Sequence, residues 1–189
     1  WQPEQVQAFI DKAMEMERGA WGLAVSIGYD SSQRLSDILG AHPRQFDGEG
    51  MDWTQSKTGE EVWTPLNGDT IALMRDLPRE SISNIIAGAN GQPISLYHFN
   101  RVFNRIRSAA GLPDTLQFMD LRRTAASEVL AGGGRAEPLT GHRPGSSVIR
   151  RYERPSKTAA RTAQKARERG KKGTKVGNGV GNKVGKDFI

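Results

Sequence analysis

Residues 20–29 constrain the fold more than any other part of the chain, because they are apolar on nearly every side of a helix. The stretch contains Trp21, Leu23, Val25 and Ile27 and holds no charged residue. A helix without a polar face is stable in water only where other elements cover it. A chain of 189 residues can build one domain with a substantial core around such a helix, and a second full domain is not expected.

The rest of the body predicts further helices and one small β-hairpin. Helices are predicted over residues 3–17, 34–39, 69–77, 96–110, 120–130, 146–152 and 156–169, and strands over 51–57 and 60–66. Thr58 and Gly59 supply a tight turn between the strands. Capping residues at 30–33 favour a helix start at Arg34, and Asp120 favours one that carries Arg122 in its first turn. The predicted fold class is therefore α+β, mainly α, with a small antiparallel hairpin.

Cysteine is absent, which excludes disulfide bonds, thiol nucleophiles and cysteine-based metal sites. The three histidines, His42, His98 and His142, lie far apart along the chain. No two of them have the spacing of metal ligands on one helix. We therefore expect no metal centre held by the protein.

The length of apolar runs and the start of the chain bear on its location. No run approaches the length that spans a bilayer. The chain starts at Trp1 and shows no signal-peptide pattern. We interpret it as a fragment of an intracellular, cytoplasmic protein without a membrane partner.

The positive charge is concentrated in the last part of the chain. The net charge is +6, but residues 156–189 contain ten Lys or Arg and two acidic residues, which leaves the remainder at −2. Beyond Gly170 the sequence is dominated by Gly, Lys, Asn and Val, and it has too little apolar area to form a core. We expect a disordered tail whose favoured partner is a polyanion.

Two arginines are predicted near the starts of helices, where an anion is bound favourably. Arg34 follows one capping cluster, and Arg122 follows Asp120. A helix N-terminus and a guanidinium both stabilise a bound phosphate, so two such sites could hold one phosphate from two sides. Each arginine also has an ordinary interpretation as a surface residue, and Arg34 could simply pair with Asp37.

Three further residues could carry chemistry, and each also has a structural interpretation. Lys57 lies next to the hairpin turn, where a lysine often protects an edge strand. His142 follows Leu139-Thr-Gly and could be a loop residue. Tyr152 is surrounded by arginines, which lower the cost of forming a phenolate, although a lone tyrosine is more often packed or exposed.

Five short motifs in a fixed order resemble the tyrosine recombinase family, which includes the phage-type integrases. They are Gln33-Arg34-Leu-Ser-Asp-Ile, Gln55-Ser-Lys57-Thr-Gly, Asp120-Leu-Arg122-Arg-Thr-Ala-Ala, Leu139-Thr-Gly-His142 and Arg150-Arg-Tyr152. Together they are far more specific than any one of them. The resemblance extends over residues 3–155 and implies a catalytic domain at residues 1–155, followed by a basic helix and low-complexity tail at 156–189.

The resemblance implies a role for each of these residues. Arg34 and Arg122 would bind the non-bridging oxygens of the scissile phosphate, and His142 would hydrogen-bond to it or assist proton transfer. Lys57 would protonate the departing 5′-hydroxyl, and Tyr152 would attack phosphorus to give a 3′-phosphotyrosine. Since the covalent link conserves the phosphodiester energy and arginines stabilise the charge, neither ATP nor a metal cofactor is expected.

The resemblance also implies partners. We expect double-stranded DNA, contacted additionally by Arg123, Arg143, Arg150 and Arg151, and a homotetramer on DNA in a bacterial or phage-infected cell. The helix at 156–169 could dock on a neighbouring protomer or lie along phosphates. The family's N-terminal DNA-clamping domain has no match here, so we expect the chain alone to bind DNA weakly and with little sequence preference.

The chain departs from the family pattern at several positions. Met119 stands where the family commonly has a histidine, and methionine cannot transfer a proton. The step from His142 to Tyr152 is ten residues, about one more than usual, and the connection at 132–138 is short and rich in glycine. We expect lowered or altered activity. The alternatives are a catalytically impaired remnant that only binds DNA and a type IB topoisomerase.

Overall fold

The computed structural model describes residues 1–77, 83–88, 90–142, 147, 149 and 164. Within this part of the chain there are seven α-helices and one antiparallel pair of strands. The helices are α1 (Pro3–Glu15), α2 (Gly19–Ser31), α3 (Leu35–Leu39), α4 (Gly68–Asp76), α5 (Leu96–Ala109), α6 (Met119–Ala131) and α7 (Glu137–Thr140), and the strands are β1 (Gly50–Thr54) and β2 (Glu61–Pro65). The helices predicted over 146–152 and 156–169, and the tail, lie outside the described residues apart from three single positions.

Helix α2 lies at the centre of the domain, as its composition predicts. Trp21, Leu23, Val25 and Ile27 are all buried. The helix contacts α1, α3, α4, α5, α6 and β2. Burial on all sides removes the need for a polar face, and the prediction of a buried helix at 20–29 is confirmed.

Aromatic rings from three helices and one loop form the core beside α2. The rings of Phe99 and Phe118 meet edge to face with centroids 5.5 Å apart, and Phe9 lies 4.9 Å from Phe103. Trp21 stacks on Phe99 at 6.0 Å and donates its indole N–H to the Phe99 carbonyl. Such pairs add stabilisation beyond the burial of their area. The cluster fixes α1, α5 and the start of α6 relative to α2.

The hairpin is shorter than the sequence predicts. The strands pair from Gly50 opposite Pro65 to Thr54 opposite Glu61, and residues 55–60 connect them. The backbone N–H groups of Thr58 and Gly59 both donate to the Gln55 carbonyl. This turn ends the strand pairing before residue 57. The prediction that the strands continue to 57 and from 60 was therefore wrong, and Lys57 lies in the connecting turn.

The junction between α2 and α3 also differs from the prediction. Residues 30 and 31 belong to α2, and Ser32 ends it in the left-handed conformation with φ 58°. Asp30 does not cap α3, because its carboxylate accepts hydrogen bonds at the start of α4 from the Asn67 N–H at 2.9 Å and the Thr70 hydroxyl at 2.6 Å. Arg34 consequently lies one residue before α3, not in its first turn.

Helix α6 begins at Met119, one residue earlier than predicted, so Asp120 is inside the helix. Its carboxylate still accepts from the backbone N–H of Gln117 at 3.1 Å and so stabilises the helix start. Helix α7 and a short 3₁₀ turn at Pro43–Gln45 were not predicted. Both are too short to show a helical period in the sequence.

We expect Gly28→Ala to lower the free energy of unfolding by about 1–3 kcal/mol, despite the better helix propensity of alanine. A methyl group there would lie 2.7 Å from the Phe118 ring and 3.3 Å from Leu121. The measurement is urea denaturation. Gly68→Ala is the matched control, since no atom lies within 4 Å of its added methyl. Equal stabilities of the two variants would contradict the tight packing of α2 on α6.

Candidate active site

The two arginines singled out in the sequence are held at one network of polar groups. Arg34, partly buried before α3, donates from Nη1 to Oε1 of Gln55 at 2.8 Å. Its Nη1 also lies 3.8 Å from Oδ2 of Asp37, an i,i+3 pair. The ordinary interpretation of Arg34 as the partner of Asp37 is thus only partly right, because the closer contact is to a neutral amide.

Arg122 projects from α6 and is buried, with 9% of its surface exposed. Its Nη1 donates to the Ser32 carbonyl at 2.7 Å, and its Nη2 donates to the Thr140 carbonyl. Both acceptors are uncharged, so these bonds fix the plane of the guanidinium without offsetting its charge. They also tie α6 to the end of α2 and to α7.

Gln55 joins the surroundings of the two arginines. Its Nε2 donates to the Thr140 carbonyl at 2.9 Å, the same oxygen that accepts from Arg122. Nε2 also donates to Oε1 of Gln33 at 2.8 Å, and Gln33 in turn donates to the Leu139 carbonyl at 3.0 Å. Arg34 and Arg122 are therefore anchored through one chain of hydrogen bonds.

His142 follows α7 and lies beside this network. Its Nδ1 is 2.7 Å from the hydroxyl of Thr140. Gly141 precedes it with φ 65°, and a Cβ at Gly141 would lie 2.6 Å from Nε2 of Gln55 and 2.7 Å from Val62. A residue other than glycine would be strained in this conformation and would collide with its neighbours. Glycine at 141 thus lets the backbone pass close to Gln55, and this path places His142 beside the hydrogen-bond network.

The electrostatic surroundings of His142 favour the neutral imidazole. Burial lowers the pKa of His142 below its ordinary value, and the charges of Arg122 and Arg34 lower this pKa further, against the opposing effect of Glu137. The three side chains are also linked by hydrogen bonds, since Thr140 contacts both His142 and Arg122, and Gln55 contacts both Thr140 and Arg34. At neutral pH the ring can accept a proton or donate a hydrogen bond.

We expect the NMR titration midpoint of the His142 imidazole to lie below the usual value of about 6.5 and to rise when inorganic phosphate is added. A bound anion offsets the arginine charges that disfavour the imidazolium. Since the folded pKa is depressed, the unfolded chain binds this proton more readily. Stability therefore falls as pH drops from about 6.5 through the folded pKa, and is unaffected above that window. A midpoint unmoved by phosphate would contradict an anion site at His142.

Lys57 is exposed in the turn that connects β1 and β2. The neighbouring Ser56 is held by Asp37, whose Oδ1 accepts from the Ser56 N–H at 3.1 Å and from its hydroxyl at 2.6 Å. The turn is also held through the Thr58 hydroxyl, which donates to Oε1 of Gln55 at 3.1 Å. The backbone on both sides of Lys57 is therefore fixed to the arginine network, while its side chain extends from it.

The remaining predicted residues divide into exposed and undescribed ones. Arg123 is exposed and lies 3.5 Å from the Asp120 carboxylate. Met119, at the first position of α6, is 72% exposed, so it is not a core methionine. The nucleophile predicted at Tyr152 and the DNA-contacting arginines predicted at 143, 150 and 151 lie outside the described residues and stay predictions.

Several polar residues that build the site were not predicted to do so. Gln33 and Gln55 occur in the motifs, but nothing in the sequence marks them as fully buried, with 1% and 0% exposure. Asp37 was assigned only to Arg34, whereas one of its oxygens holds the hairpin turn. Thr140 is buried and offers both its carbonyl and its hydroxyl to the site. Their positions inside the motifs were the one available signal.

The arrangement is suited to a bound anion. Two guanidinium groups and a neutral imidazole lie around one network of hydrogen bonds. The acceptors of Arg122 are neutral, and Arg34 bonds to the neutral amide of Gln55 at 2.8 Å and lies 3.8 Å from the Asp37 carboxylate. A planar guanidinium group can donate two parallel hydrogen bonds to the non-bridging oxygens of a phosphate. In the described ranges, no group of three His, Asp or Glu side chains could hold a metal ion. The same residues include no helix long and apolar enough to cross a membrane.

Comparisons with known proteins agree with this geometry. The model of the phage integrase family matches residues 2–159. Tyrosine recombinase XerC of Bradyrhizobium diazoefficiens is 30% identical over 152 residues, which cover 71% of this chain and 47% of the relative. The chain thus spans about half the length of this curated relative.

Solved structures show the same fold. The catalytic core of lambda integrase superposes with a TM-score of 0.62 at 22% identity, covering 77% of this chain and 92% of that one. A lambda integrase tetramer bound to a Holliday junction gives a TM-score of 0.65 at 20% identity, covering 82% of this chain and 47% of that one. The expected α+β fold, mainly helical with a small hairpin, is confirmed. The relative XerC is a tyrosine recombinase. Given the family match over residues 2–159, this chain belongs to the phage integrase family.

Proposed function

We propose that residues 1–155 form the catalytic domain of a site-specific recombinase that cleaves and rejoins double-stranded DNA through a 3′-phosphotyrosine at Tyr152. The observation that carries the proposal is the convergence of Arg34, Arg122 and His142 on one site. The match to the phage integrase family and the resemblance to tyrosine recombinase XerC support the reaction type.

The arginines act on the charge that develops at phosphorus. When the phenol oxygen attacks, the non-bridging oxygens of the pentacoordinate transition state carry more negative charge than those of the diester. Arg34 and Arg122 are already held by Gln55 and by backbone carbonyls, so they need little reorganisation to bind these oxygens. Stabilisation by preorganised charge of this kind is usually the largest contribution to catalysis.

Two proton transfers complete the cleavage step. The neutral imidazole of His142 can take up the proton that the phenol of Tyr152 loses, or it can hydrogen-bond to a phosphate oxygen. Its lowered pKa keeps the imidazole neutral at neutral pH. Lys57, on its fixed turn, donates a proton to the 5′-oxygen as the P–O bond breaks. The phosphotyrosine conserves the energy of the broken bond, so rejoining by a 5′-hydroxyl uses no ATP. With the arginines as electrophilic groups, the mechanism calls on no metal ion.

The partners follow from the same reaction. Recombination joins four DNA ends, and a lambda integrase tetramer has been solved on a Holliday junction, which supports a homotetramer on DNA here. We assign Arg123, together with Arg143, Arg150 and Arg151, to contacts with the DNA backbone. The reaction takes place where the DNA is, in the cytoplasm of a bacterial or phage-infected cell.

A nicked duplex substrate tests the proposal. After cleavage, the short oligonucleotide between the cleaved bond and the nick diffuses away, so rejoining is blocked and the covalent intermediate accumulates. A library of such duplexes with randomised sequence avoids the need to know the attachment site. We expect a denaturant-resistant protein–DNA adduct and a released strand that carries a 5′-hydroxyl.

Other outcomes distinguish the alternatives. DNA retention without any adduct would favour a remnant that only binds DNA. Adduct formation together with relaxation of supercoiled plasmid by monomers would favour a topoisomerase. A released strand that carries a 5′-phosphate would contradict a 3′-phosphotyrosine mechanism altogether.

A further inference from the structure

Gln55 is fully buried, which is unusual for a glutamine, and both ends of its amide are fully hydrogen-bonded. Its oxygen accepts from Arg34 at 2.8 Å and from Thr58 at 3.1 Å. Its nitrogen donates to Gln33 at 2.8 Å and to the Thr140 carbonyl at 2.9 Å. These bonds use all four of its hydrogen-bonding positions. A flipped amide would place its nitrogen against Arg34 and its oxygen against a carbonyl, so the orientation is unique.

The four bonds join parts of the chain that are distant in sequence. Arg34 lies 21 residues away, and Thr140 lies 85 residues away. Thr58 belongs to the turn that carries Lys57, and the Thr140 carbonyl also accepts from Arg122. One side chain therefore contacts the surroundings of both arginines and of the lysine.

The backbone that leads to His142 rests on the same amide. A Cβ at Gly141 would lie 2.6 Å from Nε2 and 2.9 Å from Cδ of Gln55. The absence of a side chain at Gly141 allows this close approach. A shift of the Gln55 amide would consequently displace His142 as well as the arginines.

The neutrality of Gln55 matters as much as its shape. A glutamate at this position would also accept from Arg34, but its negative charge would offset the guanidinium that the phosphate requires. A carboxylate would further place an acceptor against the Thr140 carbonyl. An amide therefore fixes Arg34 in place without adding a second negative charge to that of Asp37, which lies 3.8 Å from Nη1.

We propose that Gln55 is a positioning residue for strand cleavage, which aligns Arg34, the carbonyl anchor of Arg122 and the turn of Lys57 around one phosphate. The inference rests on the proposed function, since it concerns the same site. Gln55 does not touch the reacting atoms. It acts through the side chains that do.

Three variants test the proposal: Gln55→Met, Gln55→Glu and Thr58→Val. We expect Gln55→Met to slow adduct formation at saturating DNA by roughly 10- to 100-fold, with a smaller change in DNA affinity, because misplaced catalytic groups affect the reaction step most. Gln55→Glu should slow the reaction similarly and raise the pKa of His142, since its charge opposes that of Arg34. Thr58→Val, at an exposed position that does not threaten folding, should slow cleavage less, in the same direction.

Phe9→Leu is the control for a general loss of stability. Phe9 is buried against Trp1 and Phe103 in the aromatic core. This variant should leave both the cleavage rate of the folded protein and the His142 titration unchanged. Cleavage rates of the Gln55 and Thr58 variants equal to that of Phe9→Leu would overturn the proposal.

The His142 titration separates the two hypotheses. It is measured without DNA, so it remains informative if the unmodified chain forms no adduct and the proposed function fails. In that case an upward move in Gln55→Glu supports the placement of Gln55 at the anion site, and an unchanged midpoint overturns it.

Discussion

We expect Tyr152→Phe to abolish the covalent protein–DNA adduct and to lower strand cleavage by roughly 10⁴-fold or more, the scale of losing a nucleophile. Phenylalanine retains the ring but lacks the oxygen that attacks phosphorus, so a 3′-phosphotyrosine cannot form. The DNA affinity should change little, because we assign the phosphate contacts to arginines and not to this tyrosine. The measurement is adduct formation on the nicked duplex, resolved on a denaturing gel.

Tyr97→Phe is the matched control for the loss of a phenol. Tyr97 lies on α5, is 78% exposed and was assigned no part in the chemistry. We expect this variant to form the adduct at the normal rate. If the adduct persisted in Tyr152→Phe and disappeared in Tyr97→Phe, the nucleophile would be Tyr97, and its assignment to Tyr152 would be wrong.

We expect Arg122→Lys to lower the cleavage rate at saturating DNA by about 10²- to 10³-fold, or about 3–4 kcal/mol in transition-state stabilisation. Lysine keeps the charge, but it has a single nitrogen and cannot reach the carbonyls of Ser32 and Thr140 while also binding a phosphate. A buried carbonyl left without a donor costs about 1–3 kcal/mol, so the variant is also less stable. Single-turnover rates, taken well below the unfolding temperature, separate the two effects.

Arg123→Lys provides the control on the same helix. Arg123 is exposed and pairs with Asp120 at 3.5 Å. A lysine there preserves the charge that DNA binding needs, and the rate at saturating DNA should stay near normal. A rate for Arg122→Lys as near normal as that of Arg123→Lys would show that Arg122 contributes only as a general positive charge.

Much of the fold and part of the site could be predicted from local sequence. The all-round apolar stretch at 20–29 predicts a central helix because no other location satisfies it. Arg34, Arg122 and His142 could be grouped because their motifs occur in one order, and the structure does bring these three side chains together. The catalytic role of each remains a prediction, as does the participation of Tyr152.

What could not be predicted depends on contacts between distant residues. Asp30 and Ser31 are equally acceptable locally as a cap for α3 or as the end of α2. The choice is made by bonds from Asp30 to Asn67 and Thr70, 37 and 40 residues away. Gln55 would be expected at the surface by composition alone. Its burial follows from partners as far away as Thr140, which no local pattern reveals.

We propose that Arg122 acts on the charge of the scissile phosphate itself. The direct measurement compares cleavage of an ordinary duplex with one in which a methyl group replaces a non-bridging oxygen of that phosphate, using the unmodified chain and Arg122→Lys. We predict that the rate difference of about 10²- to 10³-fold shrinks to less than about tenfold on the methylphosphonate, because its transition state offers the arginine one non-bridging oxygen and one negative charge fewer. The same rate difference on both substrates would contradict a direct action of Arg122 on the charge of the scissile phosphate.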